Sequence, residues 1–529
     1  MIQPDYIVVG AGTAGSLVSA RLCESGATVL LLEAGGHAWH PMIHIPAGVR
    51  SLHRDPALNW SYFSDPHPAT KNRAIHWPRG KVIGGSGSIN GMLYVRGNPA
   101  DYDGWASMGC PGWSYADVLP FFKKTERYAA GDPQFRGKTG ALPVVDYKAH
   151  LNLTHRFVRA AQEAGMPFTQ DYNGAQQEGV AYAQMTRLGR FRGSTAFALL
   201  RPVRSSSHLR VETRAFVTKL VFEGRRCVGV TYRKGGRETT VRAAREVILC
   251  GGAVNSPQLL MLSGVGPGTQ LQALGIPVIH DSPGVGDNLV DHYYGGISAR
   301  VAGEVSINQI ARGWRLAREV IRYGLLGDGA LTYGITASTI FTRSRPALMR
   351  PDLQILFTPA SYDRERFGQL ESKPGVTAVV CIVQPESRGT LTLRSADPAE
   401  PPRIRPNYLS ASNDVLTLVA GVRLVRRILA APAMADCMVG ETYPGPAAES
   451  DADIVDALRL TGTTGYHPVG TCRMGSDANA VVDPMLRVIG VTGLRVVDAS
   501  VMPTVPTGNT NAPTAMVAEK GADLILRGG

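Results

Sequence analysis

The stretch DYIVVGAGTAG, residues 5–15, decides the fold of this chain. Its apolar half predicts a buried β-strand, and its glycines follow the pattern GxGxxG. A helical stretch over 13–23 comes next, and a second apolar strand over 28–32 closes on Glu33. A strand, a glycine turn, a helix and a strand that ends in an acid, all within about thirty residues, predict a dinucleotide-binding βαβ unit.

Each part of this pattern has its own physical task. Gly10 permits the tight turn, Gly12 lets the backbone approach a pyrophosphate, and Gly15 lets the helix pack closely on the strand. Unpaired N–H groups at the helix N-terminus suit the phosphates. The Glu33 carboxylate can accept hydrogen bonds from a ribose 2′-hydroxyl.

Length and composition exclude several classes of protein. A chain of 529 residues with 44% hydrophobic content predicts two or three domains with large cores. No apolar run reaches the roughly 18 residues that a membrane span requires. The first cofactor strand begins near residue 5 and leaves no room for a signal peptide, so we expect a cytoplasmic protein.

Cysteines and charge point to neither a metal site nor a nucleic acid. The seven cysteines are scattered without CxxC spacing, so we expect no disulfides and no metal. The net charge of +12 comes from dispersed side chains, and no motif supports nucleic-acid binding. The densest basic cluster, Arg423, Arg426 and Arg427, has helical spacing and indicates a solvated face. An anionic partner or membrane surface is the alternative.

The order of the segments predicts a cofactor domain that a second domain interrupts. Residues 208–249 alternate like paired strands, and the last of these runs stops on glycines, which indicates a return to the cofactor sheet. Runs near 353–357, 376–383 and 390–393 predict an antiparallel sheet that a helix over 413–429 covers. We assign 1–116, 196–294 and 458–529 to the cofactor domain, and 117–195 and 295–457 to the substrate domain.

Four further segments carry chemistry. WPRGKVIGGSGSINGM (77–92) is rich in glycine and suits a loop that lies against phosphate or a flat ring. GGAVNSPQLLMLSGVG (251–266) stops a strand on glycines and predicts a helix that begins near Ser256-Pro257. YHPVGTCRMG (466–475) contains His467, although a lone histidine is usually structural. The fourth segment runs from Val497 to Thr514.

Together with the amino-terminal motif, these segments resemble the glucose–methanol–choline (GMC) oxidoreductase family, which includes choline dehydrogenase-like proteins and alcohol dehydrogenases and oxidases. Residues 79–90 resemble its first signature and 252–266 its second, and the likeness extends over essentially the whole chain. The resemblance implies an α/β fold in which a Rossmann-like FAD-binding domain carries an inserted α+β substrate domain on an antiparallel sheet. It also implies hydride transfer from an alcohol to flavin N5.

The resemblance implies a catalytic pair, His467 and Asn511. A neutral imidazole can accept the alcohol proton as the C–H bond breaks, and an asparagine N–H can stabilise the developing alkoxide. One dominant pKa should then govern the rate. The motifs and the resemblance predict FAD contacts at Gly10, Gly12, Thr13, Ala14, Gly15, Glu33, Ala34, Trp60, Arg79, Val82, Gly84, Gly85, Ser86, Asn90, Gly91, Met92, Leu93, Val217, Ala253, Tyr466, Asp498, Ala499, Asn509 and Thr510.

Three positions refine the expected chemistry. Some family members tether FAD through a histidine in the first signature, where this chain has Ile89, so we expect non-covalent FAD. Choline-type members carry a glutamate before a phenylalanine of the substrate domain. That position aligns with Ala337, ahead of Phe341, and a quaternary ammonium would lack its counter-ion there. Gly465 offers no side chain for an apolar dioxygen niche.

We therefore expect a dehydrogenase that acts on a neutral primary alcohol, aliphatic or aromatic, and passes electrons to a quinone or a carrier protein. The basic surface would suit a peripheral contact at the inner face of the membrane. Several alternatives stay open: an alcohol oxidase that uses O2, a choline dehydrogenase, a lyase with structural flavin, and a light-driven fatty-acid decarboxylase.

Overall fold

The computed structural model describes residues 3–148, 150–363 and 369–528. The amino-terminal motif forms strand Tyr6–Val9, helix Thr13–Glu24 and strand Val29–Glu33. The two strands pair in parallel, with Val8 opposite Leu31. The predicted βαβ unit is therefore present, with its glycines between the first strand and the helix.

A five-stranded parallel sheet gathers segments from distant parts of the chain. Its order is Leu209–Thr213, Val29–Glu33, Tyr6–Val9, Glu246–Leu249 and Leu494–Val496. The sequence predicted that residues 247–250 return to the cofactor sheet, and strand Glu246–Leu249 indeed pairs with Tyr6–Val9. Strand Leu209–Thr213 pairs with Val29–Glu33 and so extends the parallel sheet. The three strands that follow it in the chain form a separate antiparallel sheet, which consists of Phe216–Glu223, Arg226–Lys234 and Arg237–Arg242.

The last helix, Asn511–Leu526, packs against the first helix, Thr13–Glu24. The Arg21 Nε donates to the Glu519 carboxylate at 2.8 Å, and the Glu519 side chain is fully buried. This pairing brings the two helix N-termini together, so that the Thr13 hydroxyl donates to Asn511 Oδ1 at 2.7 Å. The two ends of the chain thereby build one region.

A seven-stranded antiparallel sheet forms the second layer. Its order is Met438–Tyr443, Tyr293–Val301, Gly375–Ile382, Leu353–Thr358, Ser338–Thr342 and Gly179–Tyr182, and Thr463–Thr464 also pairs with Tyr293–Val301. Helix Ser412–Ala430 packs on this sheet through Gly421, as the sequence predicts. The predicted strand at 390–393 is instead Thr390–Thr392, which pairs only with Arg403–Arg405 in a separate ribbon.

The antiparallel sheet crosses the predicted domain limits at two places. Strand Tyr293–Val301 spans the limit between 294 and 295, and Thr463–Thr464, from the predicted cofactor segment, pairs with that strand. Backbone hydrogen bonds thus join predicted cofactor and substrate segments in one sheet. The assignment of residues to two domains stays a prediction.

The helix after the second glycine segment begins earlier than its sequence suggests. A start near Ser256-Pro257 is wrong, since the helix spans Gly252–Leu262 with Pro257 inside it. Proline cannot donate to the carbonyl four residues back, and that carbonyl, of Ala253, accepts from the Thr471 hydroxyl at 2.7 Å instead. The Ser256 hydroxyl donates to Asp498 at 2.6 Å.

The remaining elements surround these layers. The other helices are Pro41–His44, Val49–Leu52, Pro99–Ser107, Tyr115–Thr125, Asn152–Glu163, Ala196–Leu200, Arg201–Val203, Gly268–Ala273, Ile307–Ile310, Gly313–Leu326, Pro432–Ala435 and Asp451–Thr461. The other strands are Tyr62–Phe63, His76–Trp77, Glu126–Arg127, Leu142–Asp146, Gln184–Leu188, Phe191–Arg192, Val265–Gly266 and His280–Asp281. All seven cysteines are buried and none forms a disulfide. Among the described residues, no helix has the length and apolarity needed to cross a membrane.

Candidate active site

A cavity of about 440 Å³ lies between the two main sheets. Val9 and Leu249 of the parallel sheet line one side, and Leu356 and Val379 of the antiparallel sheet line the other. All but three of the predicted FAD-binding residues line this cavity, as do His467 and Asn511. The exceptions are Gly15, Val82 and Gly84. Whether the lining residues bind FAD stays a prediction.

The end of the cavity near Glu33 suits a ribose and a base. The Glu33 carboxylate accepts the Ala11 and Gly35 N–H groups, each at 2.8 Å. Burial raises its pKa to about 7. Trp60 and Val217 line the cavity too, and the Trp60 ring stacks on Tyr62 at a centroid distance of 5.9 Å. A flat aromatic wall therefore accompanies a hydrogen-bonding carboxylate.

Two glycine turns meet beside the N-terminus of the first helix. Gly10 has φ +97°, and a Cβ there would approach the Cys250 carbonyl oxygen to 2.6 Å. Gly85 has φ +51°, and a Cβ there would lie 2.7 Å from the Gly12 Cα. A Cβ on Gly15 would collide with the Gly10 carbonyl oxygen, which explains its packing role. This close backbone approach fits the pyrophosphate of FAD.

The His467 side chain is buried at the other end of the cavity and is held from three directions. Its main-chain N–H donates to Asp291 Oδ1 at 2.8 Å. Its Nδ1 lies 2.9 Å from His292 Nδ1, and its Nε2 lies 3.0 Å from Asn509 Nδ2. The imidazole therefore has one orientation relative to the cavity.

These contacts assign the proton on His467. The Gln354 amide donates to Asn509 Oδ1 at 3.3 Å, which turns the Asn509 NH2 group towards His467. With the Asn509 amide in this orientation its NH2 group donates, so His467 Nε2 accepts and carries no proton. His467 Nδ1 then carries the proton and donates it to His292. The basic lone pair of Nε2 lies on the cavity side of the ring.

The predicted catalytic role of Asn511 beside His467 stays a prediction, and the structure places a different asparagine in contact with His467. Asn511 is the first residue of the last helix, and its Oδ1 accepts from Thr13. Asn509 lies two residues earlier, before the helix begins, and contacts His467. Both asparagines line the cavity, but the start of the helix turns Asn511 towards the glycine motif.

A buried network around Asp291 supports the histidine. Besides the His467 N–H, the carboxylate accepts the Thr464 hydroxyl at 2.6 Å and the Tyr408 hydroxyl. Burial raises the pKa of Asp291 to about 6. Arg79 donates to the Tyr466 carbonyl at 2.7 Å and holds that residue at φ +65°, directly before His467.

Both histidines of this cluster are poor proton acceptors in the resting protein. Burial, together with the neighbouring His292 and Arg79, holds the pKa of His467 well below 6.5. Burial also lowers the pKa of His292 to about 3. Both imidazole rings are therefore neutral near pH 7.

Apolar side chains and the hydroxyl groups of threonines and tyrosines line the substrate end of the cavity. They belong to Tyr294, Ile335, Thr336, Leu356, Thr358, Tyr362, Thr377 and Val379. Of the acidic residues in the described part of the chain, only Glu33 and Asp498 line the cavity, and both lie on the parallel-sheet side. Ala337 packs behind the wall with Tyr333 and Met185 rather than on it.

Arg50 adds a positive charge at this end. Its guanidinium carbon lies 3.5 Å from the centre of the Tyr362 ring. Its Nε is buried and has no hydrogen-bond partner among the described residues. The Arg50 guanidinium therefore covers one face of the Tyr362 ring.

Sequence reasoning missed several residues of this site, above all Asp291, His292, Gln354 and Arg50. One signal was available for the first two, because an acid and a histidine stand together directly before the apolar strand Tyr293–Val301. Gln354 and Arg50 offer no such signal, since single polar residues on a strand and a short helix are common.

Family comparisons agree with this architecture. The GMC oxidoreductase N-terminal model matches residues 4–294, and the C-terminal model matches residues 385–518. The chain belongs to the GMC oxidoreductase family.

Similar proteins extend over nearly the whole chain. The alcohol dehydrogenase [acceptor] of Pseudomonas putida is 42% identical over 99% of this chain and 96% of its own length. The mitochondrial choline dehydrogenase of Mus musculus is 43% identical over 98% of this chain and 89% of its own length. A formate oxidase of Aspergillus oryzae, solved in a study of its FAD modification, has a TM-score of 0.93 at 28% identity and covers 99% of this chain and 98% of its own. This GMC oxidoreductase is an FAD-binding protein.

The lowered pKa of His467 predicts a broad pH range of constant activity. A base must be neutral to act, and a folded-state pKa well below 6.5 keeps it neutral down to that pH. We expect kcat/KM for the alcohol to stay level between about pH 8 and pH 6.5 and to fall only at lower pH. Anaerobic flavin bleaching measures this profile. An acidic limb centred above pH 6.5 would contradict the assignment of the base.

Proposed function

We propose that this protein oxidises a neutral primary alcohol, aliphatic or aromatic, to the aldehyde. The observation that carries the proposal is the unprotonated His467 Nε2, which lies at the cavity beside the Asn509 NH2 group. An alcohol hydroxyl that contacts both groups, in place of the hydrogen bond between them, would find a proton acceptor and a hydrogen-bond donor together. The alcohol and choline dehydrogenases among the relatives support the same reaction class.

The residues divide the chemistry between them. His467 Nε2 takes the hydroxyl proton, and the Asn509 N–H donates to the oxygen as negative charge develops on it. His292 Nδ1 accepts a hydrogen bond from His467 Nδ1–H and so keeps His467 in the tautomer whose Nε2 can act as a base. Bound FAD supplies the two-electron acceptor of the reaction. Burial of the pair excludes water and strengthens the attraction between alkoxide and imidazolium.

Charge at the substrate end supports a neutral alcohol. A trimethylammonium group would require a carboxylate or an open aromatic face. Among the described residues this end of the cavity has no acid, and Arg50 already lies on the Tyr362 ring. Choline is the second candidate, because Tyr294 also lines this end and its ring centre lies 6.1 Å from that of His467.

We propose a dehydrogenase that passes electrons to a quinone or a carrier protein rather than to O2. A Cβ on Gly465 would approach His292 Cβ to 2.7 Å, so no side chain at this position can form an apolar niche for dioxygen. The surplus of 55 basic over 43 acidic residues supports a peripheral contact with an anionic membrane, where quinones reside.

The direct test mixes the purified holoenzyme with a panel of alcohols without oxygen and follows flavin absorbance. Neutral primary alcohols should bleach the flavin, and a quinone analogue should reoxidise it faster than air. The His467→Ala variant should retain FAD but lose about a hundredfold or more in kcat, because it lacks the proposed base. Bleaching by choline alone would favour the second candidate, and a flavin that no alcohol bleaches would refute the proposal.

The two asparagines predict different phenotypes. Asn509→Ala removes the N–H donor beside His467 and should lower kcat by about a hundredfold with FAD still bound. Asn511→Ala loses the bond to Thr13 and should weaken FAD retention more than it lowers kcat of the FAD-loaded fraction. Stopped-flow bleaching and the flavin-to-protein ratio measure the two effects. Equal losses of kcat in both FAD-loaded variants would count against the role of Asn509.

We propose that FAD is bound without a covalent link. Ile89 lines the cavity at the signature position. Of the described histidines that line it, His467 has both ring nitrogens engaged, and His53 Nε2 lies 3.0 Å from the Ile89 carbonyl oxygen. Acid denaturation should therefore release all flavin into the filtrate. Intact-protein mass spectrometry should give the mass of the polypeptide alone, and an added flavin mass would overturn this expectation.

A further inference from the structure

Helix Gly313–Leu326 presents its apolar side chains to solvent. Its only buried residues are Glu319 and Tyr323. In contrast, Trp314 is 69% exposed, Ile321 60% and Leu325 79%. Most surface helices bury their apolar stripe, and this helix does the reverse.

The exposed residues form an ordered face. At about 100° per residue, Trp314, Ile321 and Leu325 project within about 40° of one another, and the buried Glu319 and Tyr323 lie on the opposite side. On the same geometry, three arginines follow one flank of the apolar stripe. They are Arg315, Arg318 and Arg322.

A neighbouring hairpin continues the same surface. Strands Gln184–Leu188 and Phe191–Arg192 end in a turn where Leu188 is 37% and Phe191 41% exposed. Arg190 of this turn donates to the Tyr323 carbonyl at 3.0 Å, and the Tyr323 hydroxyl donates to the Arg190 carbonyl at 3.2 Å. The helix Gly313–Leu326 and residues 188–191 together form what we call the docking surface.

Charge on the docking surface has one sign. Residues 312–326 contain four arginines and one acid, Glu319. The Glu319 side chain is 5% exposed and accepts the Ala330 N–H at 2.8 Å, so it is not available to a partner. Arg322 pairs with Asp328 at 2.8 Å, and Arg318 lies 3.5 Å from Glu319. The four arginines outnumber these two acids, so the surface keeps an excess of positive charge.

We propose that the docking surface lies in the interfacial region of a bilayer that contains anionic lipids. Tryptophan and leucine enter the boundary between headgroups and acyl chains, and flanking arginines bind anionic headgroups. The proposal rests on the peripheral membrane contact of the proposed function and assigns it to named residues. The exposed apolar side chains and the positive charge together favour lipid. An acidic protein that bound the arginines would leave the exposed leucines uncovered.

The location connects the membrane with the active-site cavity. The helix is followed by the turn Ala330–Thr332, which packs against it, and then by Ile335 and Thr336, which line the cavity. A bilayer on the docking surface would therefore lie beside the substrate end. Apolar alcohols and quinones concentrate in bilayers, so both could reach the enzyme from the lipid phase.

The test measures cosedimentation of the holoenzyme with vesicles of phosphatidylcholine and phosphatidylglycerol and with vesicles of phosphatidylcholine alone. Wild type should bind the anionic vesicles, and binding should weaken as salt rises. The variant Trp314→Gln/Ile321→Gln/Leu325→Gln should bind at least about tenfold more weakly. The matched control, Trp39→Gln/Met349→Gln/Val439→Gln, removes equally exposed apolar side chains elsewhere and should bind like wild type.

The outcomes separate this proposal from the oxidation chemistry, because alcohol bleaching is measured on every variant and should not change. If the helix variant binds the vesicles as strongly as wild type does, the docking surface is wrong but the membrane contact is not. Absence of binding to any vesicle would overturn both. A wild-type dimer that the helix variant converts to a monomer, without vesicle binding, would assign the surface to a second copy of the chain instead.

Discussion

The Asp291 carboxylate is the constraint on which the site depends. It is buried, and it accepts donors from Tyr408, Thr464 and the His467 backbone. These donors belong to separate segments, so one acid joins the start of the antiparallel sheet to the loop that carries the base. A buried carboxylate that lost any of these partners would face a large desolvation cost, which keeps the arrangement in one state.

A second constraint joins the two ends of the chain. The first and last helices pack together around the buried Arg21–Glu519 ion pair, and their N-termini meet at Thr13 and Asn511. Their unpaired N–H groups therefore lie beside the turns at Gly10 and Gly85. An anionic cofactor bound there would be held by segments from both termini, and the loop that contains Asn509 directly precedes the last helix.

Charged groups have different roles in the cavity and on the surface of the protein. At the catalytic end, burial and Arg79 keep His467 neutral, and the developing charge of an alkoxide would be matched by the imidazolium formed beside it. At the substrate end, the positive charge of Arg50 disfavours a cationic substrate. On the outside, arginines flank an apolar helix next to the cavity, and the proposed bilayer would lie on the side where apolar molecules enter.

The sequence by itself determined the βαβ unit, the covering helix over 413–429 and the family, because these depend on local periodicity and on contiguous motifs. Only the tertiary structure decided that Asn509 rather than Asn511 contacts His467, since the two residues differ by less than one helical turn. It also decided the earlier start of the Gly252–Leu262 helix, where Thr471 from a distant segment satisfies the carbonyl that Pro257 leaves free. The roles of Asp291, His292 and Gln354, and the outward direction of Trp314, likewise depend on contacts between segments far apart in the chain, which no local pattern encodes.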